Sequence, residues 1–359
     1  MDGTAIILAN GLLDTDYAKT SHGLIRGTER YEILAVIDPK CAGKDAGVVT
    51  DNIKRNIPVF ESIASMKQEV DRKADYGIVG VATKGGVIPD GLMCDIVDAI
   101  KEGITIVNGL HQYLSDKPEL VKLSKEYHVP LMDIRKPKPA SELKFWTGEI
   151  TNVETPIIAV LGTDCALGKR TTARFLRDGV REAGLSCEMI YTGQTGWLQG
   201  GDYGFIFDST LNDFVSGELE YAIVSCDREI DPDIIILEGQ AALLNPSGPC
   251  GSEFIISGNA RGVVLQHSPD REYYSGWENL KLKIPPIEQN IHLVESLGAK
   301  VLAITLNTKD IPYNKAKQYQ KEYQHDLQIP VALPVEEGVD SLIPVLKEYI
   351  AGFKGNGKK

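Results

Sequence analysis

Residues 156–172 read PIIAVLGTDCALGKRTT. An apolar, branched run at 157–161 meets a turn bounded by Gly162 and Gly168, then Lys169, then a stretch able to form a helix. This order has a direct physical reading. Glycine reaches backbone angles closed to other residues, so consecutive N–H groups can turn inward on an anion. A helix that follows adds unpaired N–H groups and the positive end of its dipole, and Lys169 adds a full charge. Gly162, Thr163, Asp164, Cys165, Gly168, Lys169, Arg170, Thr171 and Thr172 are therefore the expected cradle for the phosphates of a nucleotide or coenzyme.

The spacing is G-x5-G-K, longer by a single residue than the common G-x4-G-K-[ST] pattern. Arg170 stands where a Ser or Thr usually holds Mg²⁺. Thr171 or Thr172 would have to substitute, so the use of Mg²⁺ stays open at this point. A second cation beside Lys169 suits a phosphate-rich ligand held without chemistry on its phosphates. The Gly-Thr-Asp start of the loop resembles that of dethiobiotin synthetase and its relatives.

Outward from the loop, short apolar strands alternate with amphipathic helices on both sides. The expected strands are residues 6–9, 33–37, 77–81 and 104–107, then 157–161, 187–191, 233–237, 262–266, 301–306 and the edge strand 330–333. The expected helices are 57–66, 93–101, 118–127, 171–183, 287–297, 315–326 and 343–353. Such alternation predicts parallel sheets covered on both faces. The prolines at 137 and 139 cannot sit inside a helix or central strand and mark a junction. The expectation is an α/β chain with two domains of mainly parallel sheet. A Rossmann-like N-terminal domain spans 1–140, a linker 141–155, a P-loop NTPase-like domain 156–353 and a flexible tail 354–359.

The 359 residues suffice for two domains, and the 43% hydrophobic content supports real cores. A net charge of −12 argues against a nucleic-acid partner, whose phosphates need a basic surface. No run approaches the ~20 apolar residues of a membrane span, and the N-terminus does not read as a signal peptide. The six cysteines show no CxxC pair and read as thiols in a reducing cytoplasm. A small-molecule substrate, a cytoplasmic location and a homo-oligomer are the default expectations.

Other residues fall at strand ends, where open α/β folds bind ligands. Glu238 closes the hydrophobic run IIIL, as an acid does beside the loop of P-loop proteins. Asp208 ends the strand-like run 205–207, with Glu218 among the acids beyond it, and His267 ends another strand. These three, Glu238, Asp208 and His267, are the candidate proton acceptors. Gln194 and Thr195 lie in a Gly-rich loop able to wrap a ligand, while Arg26 and Lys84 lie in polar segments of the first half and could hold carboxylates. The first strand lacks G-x-G-x-x-G, which weakens a nicotinamide reading.

Two wider resemblances follow. Residues 56–63, 80–82 and 98–104 look like the CoA-binding domain of succinyl-CoA synthetases. Over nearly the whole chain, residues 19–26, 42–47, 162–172, 192–196 and 238–240 resemble the D-glutamate N-acetyltransferase family, a bacterial and archaeal group. Its members pair a Rossmann-like domain with a P-loop domain. The resemblance implies acetyl-CoA as co-substrate, with Lys169 and Arg170 on its phosphates and D-glutamate or a similar acidic amino acid as acceptor. Two other classes stay open at this stage. One is an ATP- and Mg-dependent ligase or kinase acting on a small acid; the other is a non-catalytic sensor of a nucleotide or CoA.

Overall fold

The structure is a computed structural model that describes residues 1–356, without the side chains of Lys84 and residues 354–356. Of the flexible tail expected at 354–359, residues 354–356 continue the last helix, and residues 357–359 lie outside the described residues. The chain divides into two compact units: Met1–Pro137 with Gln194–Gly201, and Lys138–Gly193 with the chain from Asp202 onward.

In the first unit, β1 (Gly3–Leu8), α1 (Lys19–Arg26), β2 (Tyr31–Ile37), α2 (Ala46–Asp51), β3 (Val59–Phe60) and α3 (Ile63–Glu69) form one half. β4 (Tyr76–Val79), α4 (Asp90–Lys101), β5 (Thr105–Asn108), α5 (Pro118–Tyr127) and β6 (Leu131–Asp133) form the other. The sheet order is β3-β2-β1-β4-β5-β6, with every pair parallel. Alternate residues of β1 feed separate cores: Ile6 and Leu8 face one, Ala5 and Ile7 the other. Both faces are therefore covered, as parallel sheets require.

The second unit begins with a 3-10 turn at Glu149–Asn152, then β7 (Ile157–Gly162), α6 (Lys169–Glu182) and β8 (Cys187–Ile190). The chain leaves to contribute α7 (Gln194–Leu198) to the first unit. It returns for α8 (Asn212–Ile230), β9 (Ile234–Glu238), α9 (Ser252–Ile256), β10 (Gly262–His267), α10 (Ile287–Ser296) and β11 (Lys300–Leu306). α11 (Tyr313–Leu327), β12 (Val331–Ala332), α12 (Pro334–Glu337) and α13 (Ile343–Asn356) complete it. The order β12-β11-β10-β7-β9-β8, again all parallel, puts β7 between β9 and β10. Both units thus have the expected α/β architecture with parallel sheets.

Three local readings differ. Residues 19–26 form α1 rather than a polar loop. Its Ser21 amide and hydroxyl both bond the Gly80 carbonyl, so tertiary contacts override the weak propensity of Thr, Ser and Gly. The helix expected at 57–66 is the short strand β3 followed by α3. Ser62 and Ser65 form a capping box that fixes where α3 starts. The acids beyond Asp208, not among the expected helices, open α8, a helix of 19 residues. Its Glu218 and Glu220 are buried and bind the backbone ahead of β7: Lys144 N to Glu218, Thr147 N and Ile150 N to Glu220. Glu218 is thus a structural tie rather than an exposed ligand edge. Among the described residues no helix is long and apolar enough to cross a membrane.

Candidate functional site

β7 ends at Gly162, the loop runs through residues 163–168, and α6 starts at Lys169. All nine predicted cradle residues therefore sit at one sheet edge. Gly168 turns into the helix at φ 93°, a region open to glycine. Ala166 also holds a positive φ, 52°, which costs about 1 kcal/mol and must be imposed by the surrounding contacts.

Those contacts come from distant segments. The Asp164 carboxylate is fully buried. It accepts from Cys165 N at 2.6 Å, Asn245 Nδ2 at 3.0 Å, Ser275 N at 2.9 Å and Arg271 Nη1 at 3.0 Å. Arg271 Nη1 also donates to the Cys165 carbonyl, and Asn307 Nδ2 to the Leu167 carbonyl. Asp164 is therefore the anchor of the loop. The Thr172 hydroxyl donates to Gln266 Oε1 at 2.5 Å, an oxygen shared with the Thr305 hydroxyl.

Lys169 is buried and donates Nζ to the Asp164 carbonyl at 2.8 Å. Burial pulls its pKa down to about 8. Arg170 and Arg174, on the first turns of α6, join Lys169 in the field around Glu238. A buried ammonium, two guanidinium groups and a turned loop at a helix start fit an anion bearing several phosphates.

Glu238 ends β9 and pairs in register with Val160 of β7, so the neighbouring strand carries it to the loop. Its buried carboxyl is pushed up in pKa by desolvation, opposed by Arg170 and by the Thr192 amide, which donates to Oε2 at 3.2 Å. The Thr192 hydroxyl donates to the Glu238 carbonyl, and Gln240 Nε2 donates to that hydroxyl.

His267 ends β10 on the other side of β7. Its Nδ1 lies 2.9 Å from the Thr163 hydroxyl and its Nε2 3.2 Å from the Tyr323 hydroxyl. Burial, then the Arg271 charge, lowers its pKa to about 4. The ring is neutral at pH 7 and engaged at both nitrogens, an arrangement suited to bracing the loop. Asp208 is exposed on a 3-10 turn whose Phe207 amide donates to the Thr192 carbonyl.

The substrate candidates lie in the first unit. Gln194 and Thr195 open α7, and Arg26 ends α1, ion-paired with Asp51 at 3.1 Å. The Lys84 side chain is outside the described residues. Asn245, Gln266, Arg271, Ser275, Asn307 and Tyr323 were not legible as partners of the loop. Only Gln266 and Asn307 carried a signal, since each lies at or just past the carboxyl end of a strand.

Family models match both units: a P-loop domain described as DUF1611_C over residues 144–343 and a Rossmann-like domain described as DUF1611_N over 39–137. A D-glutamate N-acetyltransferase from Pseudoalteromonas is 30% identical over 74% of this chain and 79% of its own length. A protein of the same name from Tritonibacter scottomollicae is 27% identical over 75% of this chain and 80% of its own. The crystal structure of a DUF1611 protein from Anabaena variabilis is similar across 97% of this chain and all of that one, at TM-score 0.87 and 28% identity. With its Rossmann-like unit, its P-loop unit and these relatives, the chain belongs to the DUF1611 family.

Proposed function

We propose that the protein is an N-acetyltransferase that moves acetyl from acetyl-CoA to the amino group of D-glutamate or a similar acidic amino acid. The observation that carries this reading is the shared name of the two curated relatives, each covering three quarters of the chain. The phosphate loop supports it chemically. CoA brings a pyrophosphate and a further phosphate, which Lys169, Arg170 and the loop amides can hold without any phosphoryl transfer.

In the reaction the acceptor amine, once deprotonated, attacks the thioester carbon. The new C–N bond forms, the C–S bond breaks, and CoA leaves as the thiol after taking up a proton. Glu238 is the favoured acceptor for the amine proton, because burial raises its basicity while nearby cations keep the anion attainable. Loop N–H groups supply donors for the developing oxyanion.

A second reading, an ATP- and Mg²⁺-dependent ligase or kinase acting on a small acid, draws on the acid at the end of the strand beside the loop. The two readings part on products. Incubation with acetyl-CoA and D-glutamate, without ATP, is expected to release free thiol in proportion to N-acetylglutamate. Thiol release that is absent, together with Mg²⁺-dependent ADP formation, would replace the first reading by the second.

A further inference from the structure

Arg271 lies just past β10, against the phosphate loop, and only part of its side chain is used there. A guanidinium carries five N–H donors in a planar fork. Nη1 directs its two at the Asp164 carboxylate, 3.0 Å away, and the Cys165 carbonyl, 2.7 Å away. Among the described residues, Nε and Nη2 meet no acceptor. Neither nitrogen is a buried orphan, so both reach solvent, and the side chain as a whole is 26% exposed.

Bracing the loop does not call for those remaining donors. Asp164 also accepts from Cys165 N, Asn245 Nδ2 and Ser275 N, so with Arg271 its oxygens are filled. Glu278 turns its Oε1 to the Gly276 amide at 2.9 Å and makes no ion pair with Arg271 among the described residues. The guanidinium is nevertheless held in place before any ligand arrives. The Arg271 amide donates to the Ser268 carbonyl at 3.2 Å, and the buried Tyr274 donates its hydroxyl to the Leu244 carbonyl at 2.6 Å. The turn that Arg271 touches is open: Ala166 is exposed, and Cys165 and Gly168 are half-buried. Lys169, depressed in pKa first by burial, also feels the Arg271 charge, so the two cations act on one region.

We infer that Arg271 binds the ligand directly, its Nε and Nη2 edge holding oxygens of the pyrophosphate that CoA and ADP share, while Nη1 keeps the loop in shape. A guanidinium suits both tasks, because its planar fork can brace the loop through one nitrogen and offer parallel N–H bonds to phosphate from another edge. The inference rests on the reading of the loop as a phosphate cradle, and not on which phosphorylated ligand the protein uses. Every residue it invokes lies in the second unit.

The test uses the full chain, with CoA and ADP as separate probes. A saturating probe is expected to slow modification of Arg271 by phenylglyoxal about fivefold or more, mapped by mass spectrometry on the parent protein. A residue that only braces the loop keeps its solvent-facing nitrogens, and its modification rate, when the probe binds. Protection by CoA alone identifies the coenzyme as the source of the pyrophosphate, and protection by ADP alone a nucleotide. Calorimetry should show affinity for the protecting probe reduced roughly tenfold or more in Arg271→Met, with part of the loss recovered in Arg271→Lys. An unchanged modification rate under a bound probe, or no loss of affinity in Arg271→Met, overturns the inference. The loop reading survives that result if Lys169→Met still loses binding. If neither probe binds the parent, the loop reading falls and takes this inference with it.

Discussion

The Lys169 ammonium donates to the Asp164 carbonyl at 2.8 Å, so the cation of the phosphate loop is folded back onto the loop that presents it. Burial holds its pKa at about 8. Below that pH the charge is already present for an incoming phosphate. Above it, a proton must be taken up first. CoA affinity is therefore expected to be flat from pH 6.5 to 8 and then to weaken by up to about tenfold per pH unit. Lys169→Met should weaken binding roughly a hundredfold at pH 7 and abolish this dependence. Calorimetric titration of CoA across the range checks both; an unchanged pH slope in the variant would refute the assignment.

His267 has the opposite consequence for folding. Its folded pKa of about 4 lies below the unfolded value of 6.5. The unfolded chain therefore binds the proton first as pH falls. The stability contribution is complete above pH 6.5 and is lost between there and pH 4, a swing of about 3 kcal/mol. Urea unfolding at pH 7 and 4.5 should show a smaller acid loss for His267→Gln than for the parent. A pH–rate profile should show no limb that disappears with this variant.

Glu238 is shifted upward, so its carboxylate is more costly to bury as pH rises through the shifted value. Stability of Glu238→Gln relative to the parent should accordingly increase with pH above 4.5, as urea unfolding at several pH values would show. If Glu238 accepts the amine proton, the rate has an ascending limb above the ordinary carboxylate range. Glu238→Gln should erase that limb and lower kcat by about 10²–10⁴-fold. A variant retaining kcat within a few-fold would pass the role to Asp208.

Glu220 is buried on α8 and accepts from Thr147 N at 2.5 Å, Thr147 Oγ1 at 3.0 Å and Ile150 N at 3.1 Å. Glu220→Ala leaves these donors without their acceptor. A loss of about 2–4 kcal/mol is expected, read as a lower urea midpoint with an unchanged slope. Thiol release per folded molecule should stay near the parent value, since the segment Thr147–Ile150 lies outside the proposed chemistry.

The loop between β7 and α6 was legible in the sequence because its signal is local. The apolar strand, two glycines, lysine and helix start are contiguous, so their order is readable along the chain, although Asn245, Arg271, Ser275 and Asn307 hold the loop in its conformation. Glu238 was legible for a related reason: a hydrophobic run ending in an acid predicts a carboxylate at a sheet edge. His267 was found as a strand-end residue, but its neutral bracing geometry was not, because burial and the Thr163 and Tyr323 partners leave no mark on neighbouring positions. Tyr191 through Trp197 read as a ligand-wrapping loop. The seating of its second half as a helix in the first unit depends on Thr20, Gly23 and Gly109, far away in the chain.

The sequence by itself determined the two parallel-sheet units and the strand–loop–helix order at 157–182, since strand periodicity and glycine placement act over a few residues. The tertiary structure alone decided that Arg271, 107 residues from Asp164, locks the loop, and that α7 crosses into the other unit. Such pairings are set by packing and by the need to satisfy buried charge, which couple residues through space and leave no periodic trace along the chain.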